Sequence, residues 1–183
     1  MISFDPNLSL KQRAKIGCVA GLVGGFAIFV SIFVIDLSMG SSQGAFYKIV
    51  GLAVGSAGIE ATLIGMISHM LVASLIGTVF GIGSGLHKKL DIYSITKGAI
   101  AGITTGLVVF GVFFMPISIF VIMPIIQSGT GDETTVLLAN SNLIMISSVE
   151  LHVVYGVVMG AFFAIAVQVQ AKSRFTIEEP QNA

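Results

Sequence analysis

Charge is what this 183-residue sequence has least of, and tryptophan is missing altogether. Only 10% of the residues are charged, whereas a typical soluble domain has about 25%. A mean hydropathy of +0.99 excludes a soluble fold. The net charge is zero, so nothing indicates a nucleic-acid partner. The one cysteine, Cys18, cannot form a disulfide within the chain.

Several motifs of common enzymes are also absent. The chain has no Walker A loop, no HExxH zinc motif and no CxxC pair. Glycines at 81, 83 and 85 resemble part of a dinucleotide-binding loop, but they lie in an apolar helical stretch without strands. We therefore expect the protein not to be an enzyme.

Positive charge is confined to a few places along the chain. Eight of the nine Lys and Arg residues form three clusters between long apolar stretches: Lys11, Arg13 and Lys15; Lys88, Lys89 and Lys97; Lys172 and Arg174. Cations are costly in hydrocarbon, and cytoplasmic loops keep an excess of Lys and Arg, so this spacing predicts four crossings. We expect an all-α, multi-pass protein of the cell membrane, one domain over 1–183, with both termini in the cytoplasm.

The four apolar stretches match the length that a crossing needs. About 20 helical residues span about 30 Å of hydrocarbon, and we place the spans at 16–35, 61–84, from 98 onward, and 146–169. The third span is expected to bend at Pro116, with Pro124 closing an outer extension. The tail from Ser173 onward is polar and is expected to be loose.

The segments between these spans are assigned by charge and length. We expect outer loops at 36–43, which starts with Asp36, and at 127–142, which has acidic residues but no Lys or Arg. Residues 46–58 are predicted to lie at, or dip into, the outer interface, with Lys48 reaching outward. The alternative, that 46–58 is a fifth span, fails because the segment is too short.

The sequence also matches itself. Residues 16–35 align with 97–116 without gaps, with identities at Gly17/Gly98, Ala20/Ala101, Gly21/Gly102, Gly25/Gly106, Phe29/Phe110 and Phe33/Phe114. Spans two and four match through His69/His152, Gly77/Gly160, Phe80/Phe163 and Ile82/Ile165. We predict two repeated helical hairpins, about 16–86 and 97–170, related by a pseudo-two-fold axis along the membrane normal.

Small residues recur at every fourth position of the spans. Such stripes let membrane helices approach closely, and the residues that we expect to do so are Gly17, Gly21, Gly25, Gly77, Gly81, Gly98, Gly102, Gly106, Gly156 and Gly160. In an antiparallel hairpin Gly17 is expected to face Gly85, and Gly25 to face Gly77. Continuing outward brings Phe33 to His69, and Phe114 to His152 in the second hairpin.

Ionisable groups at membrane depth are the candidate functional residues. His69 and His152 recur at one depth and can jointly hold copper or haem iron, with Met66 as a further sulfur ligand on the same side of its helix. The alternative is a pair of neutral histidines hydrogen-bonded across each hairpin. Glu60 and Glu150, near the outer ends of their spans, are either solvated at the interface or part of a proton or cation relay.

The chain resembles small, mostly uncharacterised four-span membrane proteins of bacteria and archaea. They share a histidine followed by Gly-x3-Gly in spans two and four, here His152-Val-Val-Tyr-Gly156-Val-Val-Met-Gly160. This resemblance implies no particular chemistry. The size, the Ile- and Val-rich spans and the lack of Trp also resemble accessory subunits of archaeal membrane oxidases or copper monooxygenases.

Three kinds of function are compatible with these features. The first is a non-catalytic accessory or structural subunit that packs against other membrane subunits or against itself through its glycine grooves, without a cofactor. The second is a copper- or haem-binding protein that uses His69 and His152. The third is a small-solute carrier or channel, which the small number of polar residues in the spans disfavours. We favour the first.

The topology can be tested directly. The basic segment 87–97 and the amino terminus are predicted to lie on the same, cytoplasmic side. Trypsin, or a thiol reagent acting on cysteines introduced in both segments, is expected to reach them from that side only. Modification of the two segments from opposite sides would contradict the four-span topology.

Overall fold

The computed structural model describes residues 8–129 and 132–178, and the side chains of 8–129 and 135–173. Throughout these ranges the regular structure is helical. Six helices follow one another: α1, Leu10–Met39; α2, Ala45–Ala53; α3, Glu60–Ser84; α4, Ile95–Ser128; α5, Asp132–Ala139; and α6, Ser141–Glu178. A short 3-10 turn, Lys88–Leu90, lies between α3 and α4.

Four of these helices, α1, α3, α4 and α6, are long and apolar enough to cross a membrane. The predicted number of spans in an all-α protein is therefore confirmed. Helix α2 has nine residues, about 14 Å at 1.5 Å per residue, which is too short for a further crossing. Its backbone packs against α3, where a Cβ on Gly51 would overlap the carbonyl oxygen of Ala61.

The ends of the helices differ from the predicted limits. Helix α1 starts at a capping box formed by Ser9 and Gln12, and it runs past Asp36 to Gly40, whose φ of 69° ends it. Helix α6 continues to Glu178, so the expectation of a loose tail from Ser173 is wrong for 173–178. The rest of that tail, 179–183, lies outside the described residues.

Helix α4 accommodates both of its prolines without ending. Two π-helical turns, Phe110–Phe114 and Ser118–Ile122, each end directly before a Met-Pro pair. These pairs, Met115-Pro116 and Met123-Pro124, begin the next α-helical turns. Proline has no N–H to donate, and a wide turn relieves the clash between its ring and the preceding turn. The predicted extension beyond Pro116 is thus helical as far as Ser128.

Helices α1 and α3 meet backbone to backbone. A Cβ on Gly17 would overlap the carbonyl oxygen of Gly77, and one on Gly21 would overlap that of Ala73. Because residue numbers fall on α3 as they rise on α1, the pair is antiparallel. The predicted register is wrong by about two turns, because Gly85 meets the side chain of Arg13 instead of Gly17.

Helices α4 and α6 pack in the same manner. A Cβ on Gly98 would overlap the carbonyl oxygen of Gly160, and one on Gly102 would overlap that of Gly156. One turn further along α4, Gly106 lies against the backbone of His152. Each contact therefore has room for a hydrogen atom but not for a methyl group.

The two hairpins join mainly through α1 and α6. At their closest approach a Cβ on Gly24 would lie 2.9 Å from the ring of Tyr155, and Met159, Phe163 and Val167 of α6 are fully buried. Helices α3 and α4, in contrast, hardly touch. A two-fold axis would turn the α1–α6 contact into an equal α4–α3 contact, so the predicted two-fold arrangement of the hairpins is wrong.

A polar cluster ties the ends of the helices together near residue 91. Arg13, only 4% exposed, pairs with Asp91 at 2.5 Å and donates to the hydroxyl of Ser84 at 3.3 Å. Tyr93 donates its hydroxyl hydrogen bond to Asp91. Burial, together with the hydrogen bond and charge of Asp91, raises the pKa of Tyr93 to about 12, so its hydroxyl keeps its proton at physiological pH. Gln168 of α6 completes the cluster, donating to the Tyr93 carbonyl at 2.6 Å.

We predict that Gly77→Leu prevents stable folding. Its side chain would have to enter the space held by the backbones of Gly17 and Gly21, which cannot move aside as a flexible side chain can. The expected loss is at least about 3 kcal/mol, the upper end of ordinary overpacking. Thermal melting and gel filtration in detergent measure it.

Gly83→Leu is the matched control on the same helix, because nothing lies within 4 Å of a Cβ at that position. This variant should extract, migrate and melt like the unmodified protein. Equal behaviour of the two variants would contradict the close α1–α3 contact.

A candidate ligand cavity between the two hairpins

A cavity of about 410 Å³ lies between α3 and α4, the two helices that hardly touch. The four membrane helices and α2 line it, and most of the lining side chains are apolar, such as Ile32, Val50 and Val109. The first α1 residue in its wall is Ile28, about 22 Å along the helix from Arg13 at 1.5 Å per residue. The cavity thus lies at the end of the bundle away from the Arg13–Asp91 cluster. Its volume falls within the range of ligand pockets, about 300–1,000 Å³.

His69 and His152 both line this cavity, from α3 and α6. Nε2 of His69 lies 3.3 Å from the carbonyl oxygen of Gly25, and Nδ1 of His152 lies 2.7 Å from that of Ser148. A carbonyl oxygen can only accept, so these nitrogens carry the ring protons. The first hydrogen bond crosses the α1–α3 hairpin, whereas the second stays within α6.

Aromatic side chains hold both imidazole rings. Phe114 lies 5.0 Å from His152 between ring centroids, which is the contact predicted for the second hairpin. In the first hairpin Tyr47 of α2 packs on His69, at 5.5 Å, and Phe33 lies against Tyr47 at 6.4 Å. The predicted Phe33–His69 contact is therefore replaced, because α2 inserts the ring of Tyr47, which sequence analysis did not place there.

Met66 is not placed to assist the two histidines. It packs in the core beside Gly44, where its methyl carbon would lie 3.6 Å from an added Cβ, and the cavity wall does not include it. Among the described residues, no three His, Cys, Asp or Glu side chains come together to hold a metal ion. A copper ion on His69 and His152 would need further ligands from outside this group.

Glu60 and Glu150 stay apart from the cavity. Both are exposed, and neither belongs to the cavity wall. Glu60 opens α3, where a carboxylate is favoured by the helix dipole. The geometry therefore does not connect either carboxylate to the histidines, as a proton relay through them would require.

Asp36 is a polar group of the cavity wall that sequence analysis assigned to a loop. It lies inside α1 with 1% of its surface exposed. Its carboxylate accepts the Gly44 N–H at 2.8 Å and the Ser41 hydroxyl at 3.3 Å. A carboxylate at the start of a helix is stabilised by amide N–H groups and by the helix dipole. Asp36 thus fixes the start of α2, which forms one side of the cavity.

Tyr155 is a second group that sequence analysis did not single out. It lines the cavity from α6, is 3% exposed, and donates its hydroxyl hydrogen bond to the carbonyl oxygen of Ala73 on α3, at 2.8 Å. This bond joins the two hairpins at the wall of the cavity. The sequence shows only that a tyrosine lies between His152 and Gly156. It does not reveal that the hydroxyl has a hydrogen-bond partner 82 residues away.

One hydrolase-like spacing also escaped sequence analysis. Gly40-Ser41-Ser42-Gln43-Gly44 fits Gly-x-Ser-x-Gly, the nucleophile elbow of α/β-hydrolases. That elbow joins a strand to a helix, whereas these residues join α1 to α2. The spacing therefore does not indicate hydrolase chemistry here.

We predict that Tyr155→Phe destabilises the protein modestly. It removes the hydrogen bond to the Ala73 carbonyl but keeps the ring beside Gly24. One such bond contributes about 0.5–1.5 kcal/mol, or a fall in Tm of about 2–4 °C per kcal/mol for a chain of this length. Thermal melting in detergent measures the change, and Tyr155→Leu, which also removes ring contacts, should melt lower still. An unchanged Tm in Tyr155→Phe would argue against the bond.

No family model, curated protein sequence or solved structure matches the chain. The resemblance to small four-span membrane proteins and to oxidase subunits therefore stays a prediction. What the protein does is inferred from the cavity and the groups that line it.

Proposed function

We propose that this protein is a non-catalytic membrane protein that holds an apolar, membrane-soluble small molecule between its two hairpins. Of the functions expected from the sequence, this is closest to the small-solute carrier. The observation that carries the proposal is the cavity of about 410 Å³ with an apolar wall. Such a wall excludes ions and favours hydrocarbon-like ligands.

The spanning helices indicate where the ligand comes from. All four of them line the cavity, and it is not closed on every side. A molecule dissolved in the hydrocarbon can therefore enter sideways, without crossing water. The few polar groups in the wall that lack a full set of partners, namely the two histidines, Ser68 and Ser147, give an amphiphile a place for its head.

The positions of the cations support a cytoplasmic location for both termini. The Arg13–Asp91 pair links the start of α1 to the loop before α4, and Gln168 brings the end of α6 to the same loop. Lys11, Lys88 and Lys172 are exposed in these regions. Under the positive-inside rule this end of the bundle faces the cytoplasm of a cell membrane, and the cavity lies in the outer half.

The contacts of the small residues support two sequence-repeated hairpins. The contact between Gly17 and Gly77 corresponds to that between Gly98 and Gly160 in the alignment of the sequence with itself. In both contacts a Cβ on the first glycine would overlap the carbonyl oxygen of the second. These grooves are filled within the chain, which leaves them unable to receive another subunit. Membership of a larger complex therefore stays a prediction, and the glycine grooves do not provide its contact surface.

Substitutions on α3 test whether the cavity is occupied. Val72 lines it, whereas Val79, two turns further along α3 and exposed to a similar extent, does not. Val72→Trp should fill the cavity, and Val79→Trp should leave it open. Native mass spectrometry of protein transferred from detergent with decylbenzene should retain one molecule per chain in the unmodified protein and in Val79→Trp.

The Val72→Trp variant is expected to retain no decylbenzene. Decylbenzene that fails to remain on the unmodified protein, or that remains equally on Val72→Trp, would overturn the proposed function. Equal melting temperatures of the two tryptophan variants establish that the comparison concerns the cavity and not folding.

A further inference from the structure

We propose that the ligand of the cavity is a quinol, a ring with hydroxyl groups carried on an apolar tail, whose hydroxyls donate hydrogen bonds to His69 and His152. This inference rests on the proposed function and adds the chemistry of the ligand's head. It concerns binding alone and requires no transfer of electrons.

The protons on the two imidazoles decide which ligands fit. His69 uses Nε2, and His152 uses Nδ1, to donate to backbone carbonyl oxygens. A charged imidazolium is costly at membrane depth, so each ring is neutral and has one proton only. The remaining nitrogens, Nδ1 of His69 and Nε2 of His152, are therefore acceptors.

Both acceptor nitrogens are available to a ligand. Neither makes a hydrogen bond to any residue that the structure describes. Both nitrogens have accessible surface, and both residues line the cavity. Two unpaired acceptors in a largely apolar wall favour a ligand that brings hydrogen-bond donors.

Three other polar groups of the wall are already engaged, whereas the hydroxyls of Ser68 and Ser147, also in the wall, make no hydrogen bond to the described residues. Tyr155 donates to Ala73, and Asp36 accepts from Gly44 and Ser41. The hydroxyl of Ser148 donates to the carbonyl oxygen of Ile144 at 2.7 Å. A serine hydroxyl can donate or accept, so it fits either kind of ligand, whereas the free imidazole nitrogens can only accept. The two imidazoles are thus the groups in this wall that favour a head with hydrogen-bond donors.

Aromatic side chains favour a flat head over an aliphatic alcohol. Phe46, Phe113 and Phe114 line the cavity from α2 and α4, and Phe114 already packs on His152. Rings in such a wall stack on a planar ligand, which is favourable beyond the apolar area that is buried. A planar ring with two hydroxyl groups on an apolar tail satisfies both the aromatic wall and the two acceptors.

The oxidised quinone is a matched probe, because it has the same shape but carbonyl groups in place of hydroxyls. Acceptor facing acceptor gives no hydrogen bond. We expect a decyl-substituted benzoquinol to bind at least about tenfold more tightly than its quinone or decylbenzene, equivalent to about 1.4 kcal/mol. The measurement is a competition against decylbenzene in native mass spectrometry, under anaerobic reducing conditions for the quinol.

His69→Phe and His152→Phe keep a ring but remove the acceptor. Each should lower the quinol affinity toward that of decylbenzene, while decylbenzene itself still binds and shows that the cavity is intact. A quinol preference retained in both variants, equal binding of quinol and quinone, or a preference for the quinone would overturn this inference but leave the proposed function standing. Failure of all three compounds to bind would overturn both.

Discussion

The packing of this protein depends on contact between helix backbones, α1 with α3 and α4 with α6. In lipid there is no hydrophobic force to push helices together, so close packing of small residues has to supply the attraction. Here glycine faces glycine, as at Gly17 and Gly77, and at Gly98 and Gly160. The register of each pair determines which side chains of its two helices face each other.

The cavity arises where this small-residue face ends. Along α1 the stripe of Gly17, Gly21 and Gly25 is continued at the same four-residue step by Phe29 and Phe33. Along α4 the glycines give way to Phe110 and Phe114 in the same manner. Large side chains cannot enter the narrow groove, so the backbone-to-backbone contact does not continue past the glycines. The two histidines lie at the transition, bonded to Gly25 and packed on Phe114.

Buried polar groups determine how the remaining pieces attach. A carboxylate or a guanidinium in a membrane protein needs a partner, because its desolvation cost is otherwise prohibitive. Asp36 meets this need through the amide of Gly44, and it thereby holds α2 across the cavity. Arg13 meets it through Asp91, and it closes the opposite end of the bundle. The Asp36 attachment thus borders the apolar cavity, and the Arg13–Asp91 attachment lies at the far end of the bundle.

The sequence by itself determined that lipid surrounds the helices, that there are four spans, and which helix faces carry glycine. Hydropathy and four-residue spacing are local properties of the chain. Only the tertiary structure decided the register of Gly17 against Gly77, the insertion of Tyr47 beside His69, and the pairing of Tyr155 with Ala73. These contacts join residues far apart in the chain. Many registers bury a glycine stripe equally well, and the choice among them depends on the side chains of all the helices at once.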